Sequence, residues 1–283
     1  MSDKDKLYRG KLYGVSVGPG DPELITRRAY GLLQQAAYWT YPVRNSKSDS
    51  YALNIATRAN LSPPGEHCPL IFPMTHDAQK LDKFRQMAAQ KVLKILNTGL
   101  DVMFLVEGDA STYSTFGHLA RHVKQLEASI DVETIAGVSS FNAAAARLQF
   151  PLAEVDDTVA ILPANYGIET IDQLLNDFDT LVLMKVKPLL DDIIALLEKR
   201  GLVEHAAFIE KAGSLDERVF HDVTQLKGES VNYLSLMLVK NPERQRGEIL
   251  RGCRKKTTPS GGKAQPSSSK AKSSSSKESI LNA

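Results

Sequence analysis

The sequence predicts an α/β protein, with strands and helices alternating along the chain and the strand exits lining a cleft. Three observations carry this. Short apolar runs without in-and-out alternation, Val102 to Val106 the clearest, read as strands buried on both faces, as in parallel sheets. Between them lie segments with apolar residues at helical spacing. Several strands also end on small residues, at Gly18-Pro19-Gly20, Glu107-Gly108-Asp109, Ala136-Gly137 and Ala212-Gly213-Ser214. In open α/β sheets ligands bind outside the carboxyl ends of strands, so these loops are the candidate binding edge.

The elements follow in order. Leu12 to Val17 is a first strand, and the Gly-Pro-Gly turn after it lets Asp21 cap a helix with Pro22 at its first position. That turn is neither GxGxxG nor a phosphate loop, so a dinucleotide or Walker site does not fit. Leu24, Ala29, Leu32, Leu33 and Ala36 give one helix its apolar stripe. Ala36 to Val43 is a second strand and Tyr51 to Ala59 a short helix. Leu61 to Pro73 holds four prolines and is expected to be extended or irregular. Asp77 caps a long helix ending near Gly99. The organising strand 102–106 then stops at Gly108, where a missing Cβ lets a ligand approach, and runs into the hydroxyl-rich Ser111 to Thr115.

Phe116 to Leu126 is helical. Its His118 and His122, spaced i, i+4, suit a metal from one helix face, but no third ligand lies nearby in sequence and no metal is expected. Asp131 to Ile135 is a strand, and Ser139 or Ser140 caps the helix that follows. Thr158 to Leu162, Thr180 to Val186, Ala206 to Glu210 and Tyr233 to Val239 are further strands. Helices over Ile168 to Asn176 and Pro188 to Arg200 lie between them.

At 283 residues the chain has room for about two domains. No apolar run approaches the ~20 residues that span a bilayer, and the polar MSDKDKLYRGK start lacks the apolar core of a secretory signal. Cys68 and Cys253 stand far apart, which argues against a disulfide framework and for a reducing, cytoplasmic setting. The net charge of +2 hides a split: residues 244–283 carry ten Lys/Arg against two acidic side chains, leaving −6 on residues 1–243. The body repels polyanions, so neither nucleic acid nor membrane is an expected partner, and an anionic substrate needs a local basic cluster. Residues 257–277, almost all Ser, Lys, Gly, Pro, Thr, Ala and Gln, are expected to be disordered. A rival reading makes this basic tail a nucleic-acid contact.

Six segments together resemble the tetrapyrrole methylases: VSVGPGDPELITRRA (15–29), EGDASTYSTF (107–116), AGVSSFNAAAA (136–146), TVAILPANYG (158–167), LVLMKV (181–186) and FIEKAGS (208–214). The resemblance spans roughly 7–240. It implies two α/β domains with S-adenosylmethionine in the cleft between them, expected over 7–115 and 116–243, a tail over 244–283, and a homodimer. The GDxSxYSTF and ILPANYG segments are most similar to the branch that methylates C-20 of precorrin-2 in cobalamin synthesis. Cobalt-precorrin-2, another tetrapyrrole carbon, or a protein acceptor as in diphthine synthesis are the alternatives.

By position, the resemblance places Pro19, Glu107, Gly108, Asp109, Thr112, Ser139, Ser140, Met184, Ala212 and Leu234 around the cofactor, with Asp109 near the sulfonium. Gly20, Asp21, Arg27, Arg28 and Arg44 are the candidate substrate contacts, and Asp109 and Tyr113 the candidate proton acceptors, by location. Ala110 and Ala136 replace prolines usual in the family, and Val17 and Arg27 are not the commonest residues in its first signature.

Overall fold

A computed structural model describes residues 9–247. The tail from residue 248 onward, with its expected disorder, lies outside the described residues.

The first sheet is wholly parallel. Its strands are β1 (Leu12–Ser16), β2 (Tyr38–Val43), β3 (Glu66–Ile71), β4 (Val102–Val106) and β5 (Val132–Ile135), in the order β3-β2-β4-β1-β5. All five residues of β4 are buried, because helices cover both faces. Val102, Phe104 and Val106 pack with α3 (Ala78–Leu96) and α4 (Phe116–Leu126). Met103 and Leu105 pack with α1 (Arg27–Gln35) and α2 (Tyr51–Arg58). Parallel strands put all five carboxyl ends on one edge, which gathers the Gly18, Glu107 and Ala136 loops.

The second sheet is mixed. β6 (Val159–Pro163) runs parallel to β7 (Thr180–Met184), while β10 (Ser235–Lys240) lies antiparallel between β7 and β8 (Ala206–Glu210). The short β9 (Arg218–Phe220) closes the edge. On one face α6 (Ile168–Asp177) and α7 (Leu190–Arg200) bury Leu181, Leu183, Phe208 and Met237. On the other, α5 (Ser140–Arg147) buries Ala144 against Val182, Ile209 and Leu238.

The differences from expectation have physical reasons. The single helix after Asp21 is two pieces: a 3-10 turn, Pro22–Leu24, capped by Asp21, and then α1 with its own cap at Thr26, whose Oγ1 accepts from the Ala29 amide at 3.2 Å. The proline-rich 61–73 contains the edge strand β3, where Pro69 is tolerated because no further strand needs its amide. β9, only three residues long, gave no periodic signal. A division at 115/116 falls between β4 and α4 and cuts the run that builds the first sheet. The chain changes sheets after β5, through Ala136 to Ser139.

One buried carboxylate fixes the end of β8. Glu210 is 5% exposed and accepts from Arg218 Nε and from the Asn232 amide at 2.6 Å. Burial alone would raise its pKa, but Arg218 and that amide win and hold it below the usual range. A depressed carboxylate adds stability above its unfolded pKa, which is lost as pH falls through the folded value. Glu210→Gln is therefore expected to cost about 1–3 kcal/mol at neutral pH. Thermal melts should show the gap from wild type closing below about pH 4; a gap independent of pH would contradict this assignment.

Candidate active site

The site is built where the exits of β1 and β4 cross. Gly108 donates to the Gly18 carbonyl at 2.7 Å, and the reverse bond is 3.3 Å. Gly108 has φ +70°, and a Cβ there would meet no atom within 4 Å, so its backbone borders open space. Beneath this crossing the fully buried Ser16 hydroxyl donates to the Ile135 carbonyl at 2.6 Å and accepts from the Ala110 amide at 2.9 Å. One side chain thus ties three strand exits together. Sequence reasoning missed Ser16; its signal is a lone hydroxyl inside the apolar run LYGVSV.

Asp109 extends the same scaffold. One carboxylate oxygen accepts from the Ser111 amide at 2.9 Å and from the Ser111 hydroxyl; the other accepts from the Gly137 amide at 2.8 Å. Burial would raise its pKa, but the Ser111 hydroxyl, these two amides and the Thr112 hydroxyl together hold it below the usual range. Asp109 therefore locks the β4 loop to the loop entering α5. Tyr113, with φ +50° and half its surface exposed, donates its hydroxyl to the Ile161 carbonyl of β6 at 2.9 Å. Neither expected proton acceptor is free: Asp109 has both oxygens engaged and a low pKa, and the Tyr113 hydroxyl is already donating.

Glu107 is different. It makes no hydrogen bond or ion pair among the described residues and is exposed to solvent. Protein packed around the cleft still pushes its carboxyl above the usual range, with Lys185 working the other way. The Ser139 and Ser140 hydroxyls, half-buried at the start of α5, also make no bond among the described residues, and Ser139 does not cap its helix through its side chain.

The second sheet supplies the facing wall. A Cβ at Gly20 would lie 2.5 Å from the Ala212 carbonyl, so the β1 exit and the β8 exit touch. Tyr51, from α2, is half-buried with its hydroxyl enclosed beside Gly20 and Ser214, lacking a hydrogen bond of ordinary geometry. Burial raises its pKa, with Ser214 acting in the opposite sense. Lys211 donates its amide to the Leu234 carbonyl at 2.7 Å, which sets Ala212 beside the start of β10. Met184 is half-buried at the end of β7, paired in register with Leu236. Lys185 follows it and holds its Nζ 5.6 Å from the Tyr233 ring centre and 6.0 Å from that of Tyr113.

The structure thus gathers Pro19, Gly20 and Asp21 with Ala212, and Glu107, Gly108, Asp109 and Thr112 with the loop that precedes Ser139 and Ser140. It does not bring the expected basic contacts together. Arg28 is paired with Glu133, which also holds Lys11. Arg27 is exposed on α1, and Arg44 is exposed after β2, where its amide donates to the Ser48 hydroxyl at 3.0 Å. His122 pairs with Asp82 at 3.0 Å and His118 with Arg121 at 2.9 Å. No group of three metal-ligating side chains stands together among the described residues.

These features fit an adenosyl sulfonium cofactor. Free hydroxyls suit a polar ligand's edges, and Gly108 leaves room for close backbone approach.

Comparison with known proteins agrees. A cobalt-precorrin-2 C(20)-methyltransferase from Salmonella typhimurium strain LT2 is 34% identical over 232 residues, covering 81% of this chain and 96% of its own. A protein of Methanocaldococcus jannaschii, named probable cobalt-precorrin-2 C(20)-methyltransferase, is 34% identical over 248 residues, covering 85% of this chain and all of its own. The crystal structure of uroporphyrin-III C-methyl transferase from Thermus thermophilus, complexed with S-adenosyl homocysteine, shares the fold with a TM-score of 0.58 at 23% identity, covering 82% and 92% of the two chains. The family model for tetrapyrrole (corrin/porphyrin) methylases matches residues 11–227, and the chain belongs to that family.

Proposed function

We propose that this protein transfers a methyl group from S-adenosylmethionine to C-20 of precorrin-2, metal-free or carrying cobalt, in cobalamin synthesis. The observation that carries this is the set of unpaired polar groups, Glu107, Ser139 and Ser140, held on a pinned edge in a chain whose curated relatives bear the C-20 name.

When bound, the cofactor supplies an activated methyl group, so the protein's task is alignment, worth up to about 7–11 kcal/mol in ideal cases. In this reading Pro19, Gly108, Thr112, Ser139, Ser140, Met184, Ala212 and the backbone at Leu234 surround the cofactor, and Asp109 fixes the loops that carry them. Gly20 and Asp21 border the substrate. After C–C bond formation the proton on C-20 must leave, and Glu107 Oε is the free oxygen available to take it. The electrons of that C–H bond return to the conjugated ring.

We further read the enzyme as a cytoplasmic homodimer, as the family resemblance implies. No helix among the described residues is long and apolar enough to cross a membrane.

The test is an anaerobic assay with S-adenosylmethionine and each form of precorrin-2, read by mass spectrometry and NMR. One added methyl at C-20 is the expected result. Methylation at another ring carbon moves the protein to a different branch of the family. Absence of methylation with either form overturns the substrate assignment.

A further inference from the structure

Lys185 stands out because nothing in the fold requires its charge. Its φ is +58°, in the left-handed region where glycine is the unstrained residue, and it follows Met184 at the exit of β7. Its amide is used, donating to the Ser235 carbonyl at 2.8 Å, but a glycine would keep that bond. Its ammonium makes no hydrogen bond or ion pair among the described residues. It is held between two tyrosine faces, Tyr113 from the first sheet's edge and Tyr233 from the second's.

Both tyrosines keep large exposed surfaces, 51% and 39%. Tyr113 is itself in the left-handed region, and its hydroxyl bond to Ile161 fixes the ring. Two strained residues therefore build an aromatic-walled cationic spot that opens on the cleft.

Four other cations close to these loops are engaged. Arg58 donates to the Gly20 carbonyl at 3.0 Å, Lys211 pairs with Asp216 at 3.0 Å, Arg218 is held by Glu210 and Arg28 by Glu133. Glu107 faces Lys185 across the cleft without contact. A carboxylate ligand would enter this gap, take the ammonium and lay its apolar body on the rings.

We propose that Lys185, between Tyr113 and Tyr233, anchors one peripheral carboxylate of the tetrapyrrole substrate. The inference rests on the methylase reading above. It supplies local positive charge on a body of net −6, in place of Arg27, Arg28 and Arg44. The cofactor's own amino-acid carboxylate is the other source of the same chemistry, and the test separates the two.

The full chain is compared with Lys185→Met and Lys185→Arg. S-adenosylhomocysteine affinity is measured by calorimetry, and tetrapyrrole affinity by absorbance titration with that ligand present. Losing one charge-assisted contact should weaken tetrapyrrole binding about 10- to 100-fold in K185M. K185R should recover most of it, with S-adenosylhomocysteine affinity unchanged in both variants. The KM for tetrapyrrole should rise more than kcat falls, and raising ionic strength should weaken binding by wild type more than by K185M. Unchanged tetrapyrrole affinity in K185M, or a parallel loss of S-adenosylhomocysteine affinity, overturns the proposal. Wild type that binds S-adenosylhomocysteine but neither form of precorrin-2 overturns the function reading instead, before any variant is made.

Discussion

Asp109→Ala is expected to abolish measurable S-adenosylhomocysteine binding and to lower the melting temperature. The carboxylate receives the Ser111 amide, the Ser111 hydroxyl and the Gly137 amide. Removing it strands donors, each at about 1–3 kcal/mol. Three donors at the low end of that range, about 3 kcal/mol in all, at about 2–4 °C per kcal/mol for a chain of this size, give a loss on the order of 6–12 °C. The binding loss has a separate cause. Without Asp109 the β4 loop is no longer tied to the loop that presents Ser139 and Ser140, so the two sides of the pocket drift apart.

Asp109→Asn should do little better, because every partner is a donor and an asparagine offers one oxygen and one NH2. Its NH2 would face either the Gly137 amide or the Ser111 pair. Binding should also fade in wild type as pH falls through the depressed Asp109 pKa, since protonation removes an acceptor. Calorimetry on D109A and D109N, with melting curves, checks this. Full cofactor affinity in D109N would show that the loop needs only the shape of the side chain.

Much of this arrangement was legible in the sequence because it depends on local signals. An unalternating run such as 102–106 demands cover on both faces, and a Gly-Asp exit after it demands a loop. Caps at Asp21 and Asp77 both accept the backbone bonds that their residue types favour. What escaped depends on partners distant in sequence. Pro69 argues against a strand until the strand is known to lie at an edge. Arg28 looked like a free cation beside the first loop, and only the fold pairs it with Glu133, 105 residues away. Ser16 and Lys185 are single residues inside apolar runs, where periodicity counts them as noise. Their roles arise from which strand exits the sheets place side by side. The return of β5 to β1 escaped for the same reason, since that pairing is set by the crossover connection and not by composition.

Glu107→Gln is expected to lower kcat by roughly 10²- to 10⁴-fold, the usual worth of a positioned acid or base. It should leave S-adenosylhomocysteine affinity unchanged. The argument turns on what a proton acceptor needs. Asp109 is held ionised by its donors, so protonating it means breaking them. Glu107 has no donors to give up, and the protein around it pushes its carboxyl above the usual carboxylate range. The charged and titratable groups facing it are Lys185 from the β7 exit and Tyr51 from α2. Because the ionised form is the active one, kcat/KM should rise with pH through a pKa above the ordinary carboxylate value of about 4.3. That acid limb should vanish in E107Q. In K185M, which loses the neighbouring positive charge, it should move to higher pH. With substrate deuterated at C-20, E107Q should show an isotope effect that wild type lacks, since slowing proton removal exposes that step. An unchanged kcat together with weakened S-adenosylhomocysteine binding would make Glu107 a cofactor contact and leave the C-20 proton to solvent.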